Sequence, residues 1–367
     1  MPSLVTTITE VVTGLAMLGT ASLEEVLADR PPVVANLAPA DWQLLSAAHQ
    51  GGAHAENFAA AWANGRFFLE ATDGLRGRRP HLVEWKGSTR PAGDDNIPAD
   101  LRIDRVYLIS CKYLSRIMLN ASPQHLFERL LSGGHGVRAG EDWFERCAPT
   151  EHQALYAAAR GALGGELPTR VSELDRAQRR WLAGRLKGPL PASLTSQYAA
   201  LTERVALTSA GIWRDRLSSD RGAEALLWRM LRIHAVPYFV LGASPAGSLR
   251  LRIDTPWDWR QRYRVRGFDI AAQPGGQARV AWSALVSDRF SGRDHQVGGH
   301  VEIRWSHGRF GGPPEAKVYL DTPHDEIPGY HRLSGPTEQF SPEPSTAGST
   351  PAVGPATQAR LWPDLEE

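Results

Sequence analysis

The residues best suited to chemistry lie between His81 and Leu131. Two short apolar runs there, HLVEWK and RVYLISCK, end in lysines, Lys86 and Lys112. Between them a proline-flanked acidic segment carries Asp100 and Asp104, and Glu84 sits in the first run. Carboxylates near a strand-borne lysine are the materials of metal-assisted phosphodiester hydrolysis. A hard cation takes oxygen ligands and generates a nucleophilic water, while a lysine stabilises charge in the transition state.

Such a site needs convergence, and strand parity limits how it can arise. Residues of one parity share a strand face, so Asp100, Arg102 and Asp104 group together, as do Ser110 and Lys112. Run as one continuous strand, Asp100 and Lys112 would lie roughly 40 Å apart. A hairpin is therefore required. A two-residue turn at Asp104-Arg105 sets Asp100 against Ile109 and puts Lys112 on the wrong face. A three-residue turn, Asp104-Arg105-Val106, sets Asp100 against Ser110 with Lys112 diagonal to it.

A helix bearing Glu56, strands bearing Glu84, Asp100 and Lys112, then a further helix resemble the αβββα core of the PD-(D/E)xK nuclease superfamily. The resemblance spans about a quarter of the chain. Asp100, in Pro98-Ala99-Asp100, matches the motif aspartate, and Ser110-Cys111-Lys112 matches the (D/E)xK tripeptide. It implies a Mg²⁺-dependent (or Mn²⁺-dependent) nuclease acting on nucleic acid, DNA in the first instance. Asp100, Glu84 and Cys111 would hold the metal, Lys112 and Lys86 would supply cationic assistance, and Glu56 would add a helix carboxylate. The chain departs from the pattern at Ser110, which stands where a carboxylate belongs, so Glu84 is the expected substitute. A second register, Asp73 followed by Glu84-Trp85-Lys86, also fits the motif, and the tripeptide recurs at Glu315-Ala316-Lys317. The serine keeps open an alternative, a non-catalytic nucleic-acid-binding or adaptor protein built on a degenerate nuclease fold.

A second group of residues points to the same partner. Arg260, Arg262, Arg264 and Arg266 alternate, close behind Trp257 and Trp259. Read as a strand, Gln261–Val265 projects all four arginines from one face. Between Arg250 and Arg309 there are 11 Arg, no Lys and 6 Asp or Glu, a local positive excess in a chain of net charge +1. Arginines with exposed aromatics suit phosphate contact and base stacking. His295, His300 and His307 cluster nearby without a cysteine for a zinc site. No phosphate-loop, hydrolase-elbow or zincin motif is present.

These residues must be held by an α+β chain. Its 367 residues suffice for two or three domains, and its two cysteines, Cys111 and Cys147, argue against a disulfide scaffold and for a cytoplasmic protein. The N-terminal apolar run lacks basic residues ahead of it and is broken by Glu10, so neither a signal peptide nor a membrane span is expected. Patterning divides the chain into a helical segment (1–40) and the nuclease-like αβββα core (41–140). A second helical region (141–236) and an antiparallel β-rich, sandwich- or barrel-like domain (237–333) follow. In the core, Ala55, Phe58, Ala59 and Trp62 form the expected buried stripe, and Ser122-Pro123 should start a helix over Gln124–Leu131. The Pro/Ser/Thr-rich tail (334–367) is too poor in apolar residues to fold alone. It ends in LWPDLEE, a candidate contact for a protein partner.

Overall fold

The computed structural model describes residues 3–87, 98–113, 117–129, 142–217, 220–245, 247–273 and 275–335. Four helices open the chain: α1 (Leu4–Ala16), α2 (Leu23–Asp29), α3 (Pro39–Gln50) and α4 (Ala55–Glu70). Ser3 caps α1 by accepting from Thr6 N. From Thr7 to Ala16 every residue of α1 is buried. Its threonines are tolerated there because Thr9 and Thr13 donate back to the carbonyls of Val5 (2.9 Å) and Thr9 (2.7 Å). Helices α1 and α4 approach through Gly65, where a β-carbon would lie 2.1 Å from the Thr13 carbonyl oxygen. This contact rotates α4 from the expected stripe. Phe58, Ala61, Gly65, Phe68 and Leu69 are buried, while Ala55 and Ala59 face solvent.

Against α1 and α4 lies a mixed sheet of seven strands. They are β1 (Val34–Ala35), β2 (Val83–Trp85), β3 (Leu101–Ile103), β4 (Tyr107–Tyr113), β6 (Tyr238–Ser244), β7 (Gly247–Ile253) and β12 (Tyr330–Arg332), in that spatial order. Strands β2, β3 and β4 form an antiparallel meander, and β6 returns parallel to β4. Val83, Trp85, Leu101, Ile103, Ile109, Phe239 and Leu241 join α1 and α4 in one core. The opposite face, with Tyr238, Val240, Leu251 and Ile253, joins a larger core with the second helical region.

That region holds α5 (Trp143–Cys147), α6 (Pro149–Leu163), α7 (Arg176–Arg185), α8 (Thr195–Arg216) and α9 (Asp220–Met230). Helix α8 packs on a five-stranded antiparallel sheet ordered β5-β11-β10-β9-β8. Its strands are β5 (Ile117–Ala121), β11 (Glu315–Leu320), β10 (Asp294–Arg304), β9 (Ala278–Asp288) and β8 (Tyr263–Gln273). The fold is thus α+β with an antiparallel β-rich C-terminal region and no closed barrel among the described residues. The sheets cross the segment boundaries read from the sequence. Strands β6, β7 and β12 complete the first sheet, and β5, from within 41–140, forms an edge of the second.

Ser122 does cap a helical turn, accepting from His125 N at 3.2 Å, but residues His125–Arg129 wind as a π-helix. The last two residues of the helix expected over Gln124–Leu131, Leu130 and Leu131, and the tail beyond Gly335 lie outside the described residues. Among the described residues no helix is long and apolar enough to cross a membrane.

Candidate functional site

The hairpin between β3 and β4 turns through three residues, with Val106 N donating to Ile103 O at 2.9 Å. Asp104 and Arg105 both take left-handed backbone, φ 51° and 59°. Asp104 is held there because its carboxylate accepts from the amides of His81 (2.7 Å) and Leu82 (3.0 Å) and from Arg78 (2.6 Å). The resulting register pairs Leu101 with Ile109 and Arg102 with Leu108. It continues through Asp100, whose amide donates to Ile109 O at 2.7 Å while its carbonyl accepts from Lys86 N at 2.9 Å. Asp100 therefore stands opposite Ser110, with Lys86 on the other flank.

Asp100 Oδ2 accepts from Cys111 N (2.6 Å) and Ser110 Oγ (3.3 Å). Burial pushes its carboxyl above the usual aspartate range, against the Cys111 amide and Lys112, which hold it down. The Lys112 ammonium is lowered by the same burial and supported by Asp100. The second carboxylate of the cluster comes from α1. Glu10 is buried, accepts from Trp85 Nε1 at 2.7 Å and is pushed up to about 7, first by burial and then by Asp100. Arg232 lies on the other side, donating to Met118 O at 2.6 Å and lining, with Lys112, Ser110 and Tyr238, a cavity of about 20 Å³. Its charge acts on both Asp100 and Lys112.

Glu84 does not take the place left by Ser110. Both of its oxygens are bound by Arg102, at 2.8 and 2.9 Å, and that guanidinium holds its carboxyl below the usual range. The two residues are cross-strand partners in the β2–β3 register, which explains the pairing. Glu56 is exposed on the first turn of α4 and lies outside the cluster. Cys111 contributes its amide rather than its sulfur: burial raises the thiol well above its ordinary range, which disfavours the thiolate a metal needs. Of the alternative register, Asp73 is exposed just beyond α4, and Lys86 is set opposite Asp100.

Sequence reasoning missed Glu10 and Arg232. The available signal for Glu10 was an acid inside an otherwise apolar helical run. Arg232 ends the turn after α9 in left-handed backbone, φ 56°, and nothing in its local sequence marks it.

The arginine face is also rearranged. Thr255 and Asp258 form a capping box that starts a helix, α10 (Pro256–Arg262), before β8 begins. Arg260 and Arg262 therefore lie on a helix, where they pair with Glu224 (2.7 Å) and Asp288 (2.8 Å). Trp259 is fully buried and donates to Pro328 O at 3.1 Å. Trp257 and Phe290 are exposed, at 73% and 81%, as are Arg264 and Arg266, which make no ion pair among the described residues. The histidines do not converge: His300 binds Asp321 at 2.9 Å, while His295 packs beside Tyr263.

The donor set limits what ion the carboxylate cluster would accept. Among the described residues no three His, Cys, Asp or Glu side chains group for a metal. Mg²⁺ needs only one or two carboxylates and keeps its waters, so Glu10 and Asp100, a pair in which Asp100 raises the Glu10 carboxyl, fit it. They do not form a zinc-type site. No family model matches the chain, and neither a curated protein nor a solved structure is similar to it.

Proposed function

We propose that the chain is a metal-dependent nuclease of divergent PD-(D/E)xK type, working through Glu10, Asp100 and Lys112. One observation carries this reading: the buried Glu10 carboxylate of α1 meets the half-buried Asp100 carboxylate and Lys112 ammonium of the three-stranded meander. Structural ion pairs seldom take two carboxylates out of water beside each other, because each raises the cost of ionising the other. A bound Mg²⁺ or Mn²⁺ would offset that cost, polarise a phosphodiester and lower the pKa of its water. Glu10 and Asp100 would hold it. Ser110 Oγ and the Cys111 amide fix the Asp100 carboxylate, and Trp85 fixes Glu10. Lys112 and Arg232 place positive charge where a phosphoryl oxygen would gain negative charge. The exposed Arg264 and Arg266 would contact nucleic acid by phosphate pairing, and the exposed Trp257 and Phe290 by stacking.

The test is cleavage of supercoiled DNA and of labelled single strands and RNA with Mg²⁺ or Mn²⁺. Asp100→Asn and Lys112→Ala should each lower the rate by at least about a hundredfold with far-UV circular dichroism unchanged. Cleavage that survives both substitutions, or no cleavage of any substrate by the wild-type protein, overturns the catalytic reading.

Ser110 and the cavity of about 20 Å³, room for about one water rather than a phosphodiester, favour the second reading, a binding or adaptor protein. That reading expects metal-independent, salt-sensitive nucleic-acid binding that is indifferent to Asp100→Asn.

A further inference from the structure

A larger cleft lies away from the carboxylate cluster. It has a volume of about 700 Å³ and is bounded by the end of α7, the loop 186–188, Tyr198 on α8, Gln277 in the β8–β9 turn and residues 305–311. Arg180, Lys187 and Arg309 line it, and among the described residues no Asp or Glu does. Arg180 and Lys187 make no ion pair among the described residues. Three cations around one cleft, in a protein of net charge +1, set up a local positive field that attracts an anion.

The walls are built rather than incidental. Arg309 Nη1 donates to the carbonyls of Leu186 (2.7 Å) and Gly188 (3.0 Å), and its guanidinium lies 5.5 Å from the Tyr198 ring centre. Tyr198 in turn donates to Gln277 Oε1 at 2.9 Å. Gly308, at φ 90°, seats the 305–311 loop against α7, where a β-carbon would lie 2.9 Å from that of Ala183. Tyr198 and Trp305 bring aromatic surface to the cleft. Beyond Trp305 and His307 a second hollow of about 410 Å³, lined by Asn120 and Ser122, continues the opening.

We propose that this cleft binds a phosphorylated nucleoside, with Arg180, Lys187 and Arg309 on the phosphates and the base against Tyr198 or Trp305. The size falls in the range of small-molecule sites. Guanidinium groups suit phosphate oxygens, and an aromatic wall suits a base. The ligand is either a free nucleotide or the phosphorylated end of a strand, since both present the same chemistry. The proposal does not depend on the nuclease reading, because none of these residues touches the Glu10, Asp100 and Lys112 cluster.

Calorimetric titration of the full chain in metal-free, low-salt buffer tests it, with ATP, a 5′-phosphorylated oligothymidylate, its unphosphorylated counterpart and ribose 5-phosphate as probes. ATP or the phosphorylated strand should bind, and whichever does identifies the source. The Arg180→Ala/Lys187→Ala double variant, which alters two exposed side chains, should weaken binding about tenfold or more. Asp100→Asn should leave it unchanged. The proposal is overturned if neither ATP nor the phosphorylated strand binds at millimolar concentration, if the double variant binds as well as wild type, if ribose 5-phosphate binds as tightly as ATP, or if the strand binds equally without its phosphate.

Discussion

Glu10 is the residue on which the site's pH behaviour turns. Its carboxyl, moved from 4.5 to about 7 by burial and by Asp100, is still protonated in the folded protein at pH values where an unfolded chain has released that proton. Between about pH 4.5 and 7 the native state therefore binds more protons than the unfolded state, and this group's contribution to stability falls as pH rises. Glu10→Gln should remove that slope, a change on the order of 2 kcal/mol across the window, measured by urea unfolding from pH 5 to pH 7.5. A divalent ion needs the ionised carboxylate, so Mg²⁺-induced stabilisation should strengthen over the same interval in wild type and be lost in Glu10→Gln. A variant with an undiminished slope would place the titration elsewhere. Asp100 and its register against Ser110 were legible in the sequence because parity and an odd-length turn leave few choices. Glu10 was not, because its contact joins residues ninety positions apart and no local pattern records it. Glu84 misled for the opposite reason: it is near in sequence, but its cross-strand neighbour Arg102 claims it.

At the scale of elements, the seam between β4 and β6 keeps Lys112 in place. Gly242 of β6 faces Lys112 of β4 in the parallel register, and a β-carbon there would lie 1.8 Å from the Lys112 carbonyl oxygen. Asn64, buried on α4, ties the seam to the helix layer. It donates to Gly242 O (2.9 Å) and Tyr113 Oη (3.1 Å), while its carbonyl accepts from Arg250 Nε (2.9 Å). Asn64→Ala strands several of these groups without a partner, which should cost about 2–4 kcal/mol. The loss should appear as a lower urea midpoint with unchanged m. Gly242→Ala should be worse, because the backbone of β4 must move, and Lys112 with it. Loss of the proposed nuclease activity out of proportion to the loss of stability would mark that displacement. Neither element showed in the sequence as more than its type. Helix α4 was legible as a helix, but its buried face was misassigned by part of a turn, since Gly65 rather than a large apolar residue sets its closest contact. Strand β8 was misread over Gln261-Arg262 because alternating arginines mimic strand periodicity, whereas the Thr255–Asp258 capping box decides for helix.

Across the whole molecule, the chain interleaves rather than stacks its segments. Strand patterning after Pro237 was legible strand by strand, yet partner choice was not. Strand β6 reads like a member of the local meander but pairs with β4, more than a hundred residues earlier, with β7 added on its far side. Strand β5 leaves the region of the meander to pair with β11, nearly two hundred residues later. Local propensity specifies a strand's existence, while its neighbour is fixed by which apolar faces meet. A protein cut between Val236 and Pro237 should therefore not yield two folded domains. The fragment 1–236 would expose the β4 edge and lose Phe239 and Leu241 from the core beneath α1 and α4. The fragment 237–335 would lose α8 from the face of its five-stranded sheet. Each alone should be unfolded or aggregated by circular dichroism and size exclusion, whereas co-expression should recover one soluble complex. Truncation after Pro336 is the contrasting case: residues 337–367 are Pro/Ser/Thr-rich and poor in apolar side chains, so their removal should leave the melting temperature within about 2 °C of the full chain. Independent folding of 237–335, with a cooperative melt of its own, would show that the shared sheets are not what holds these segments together.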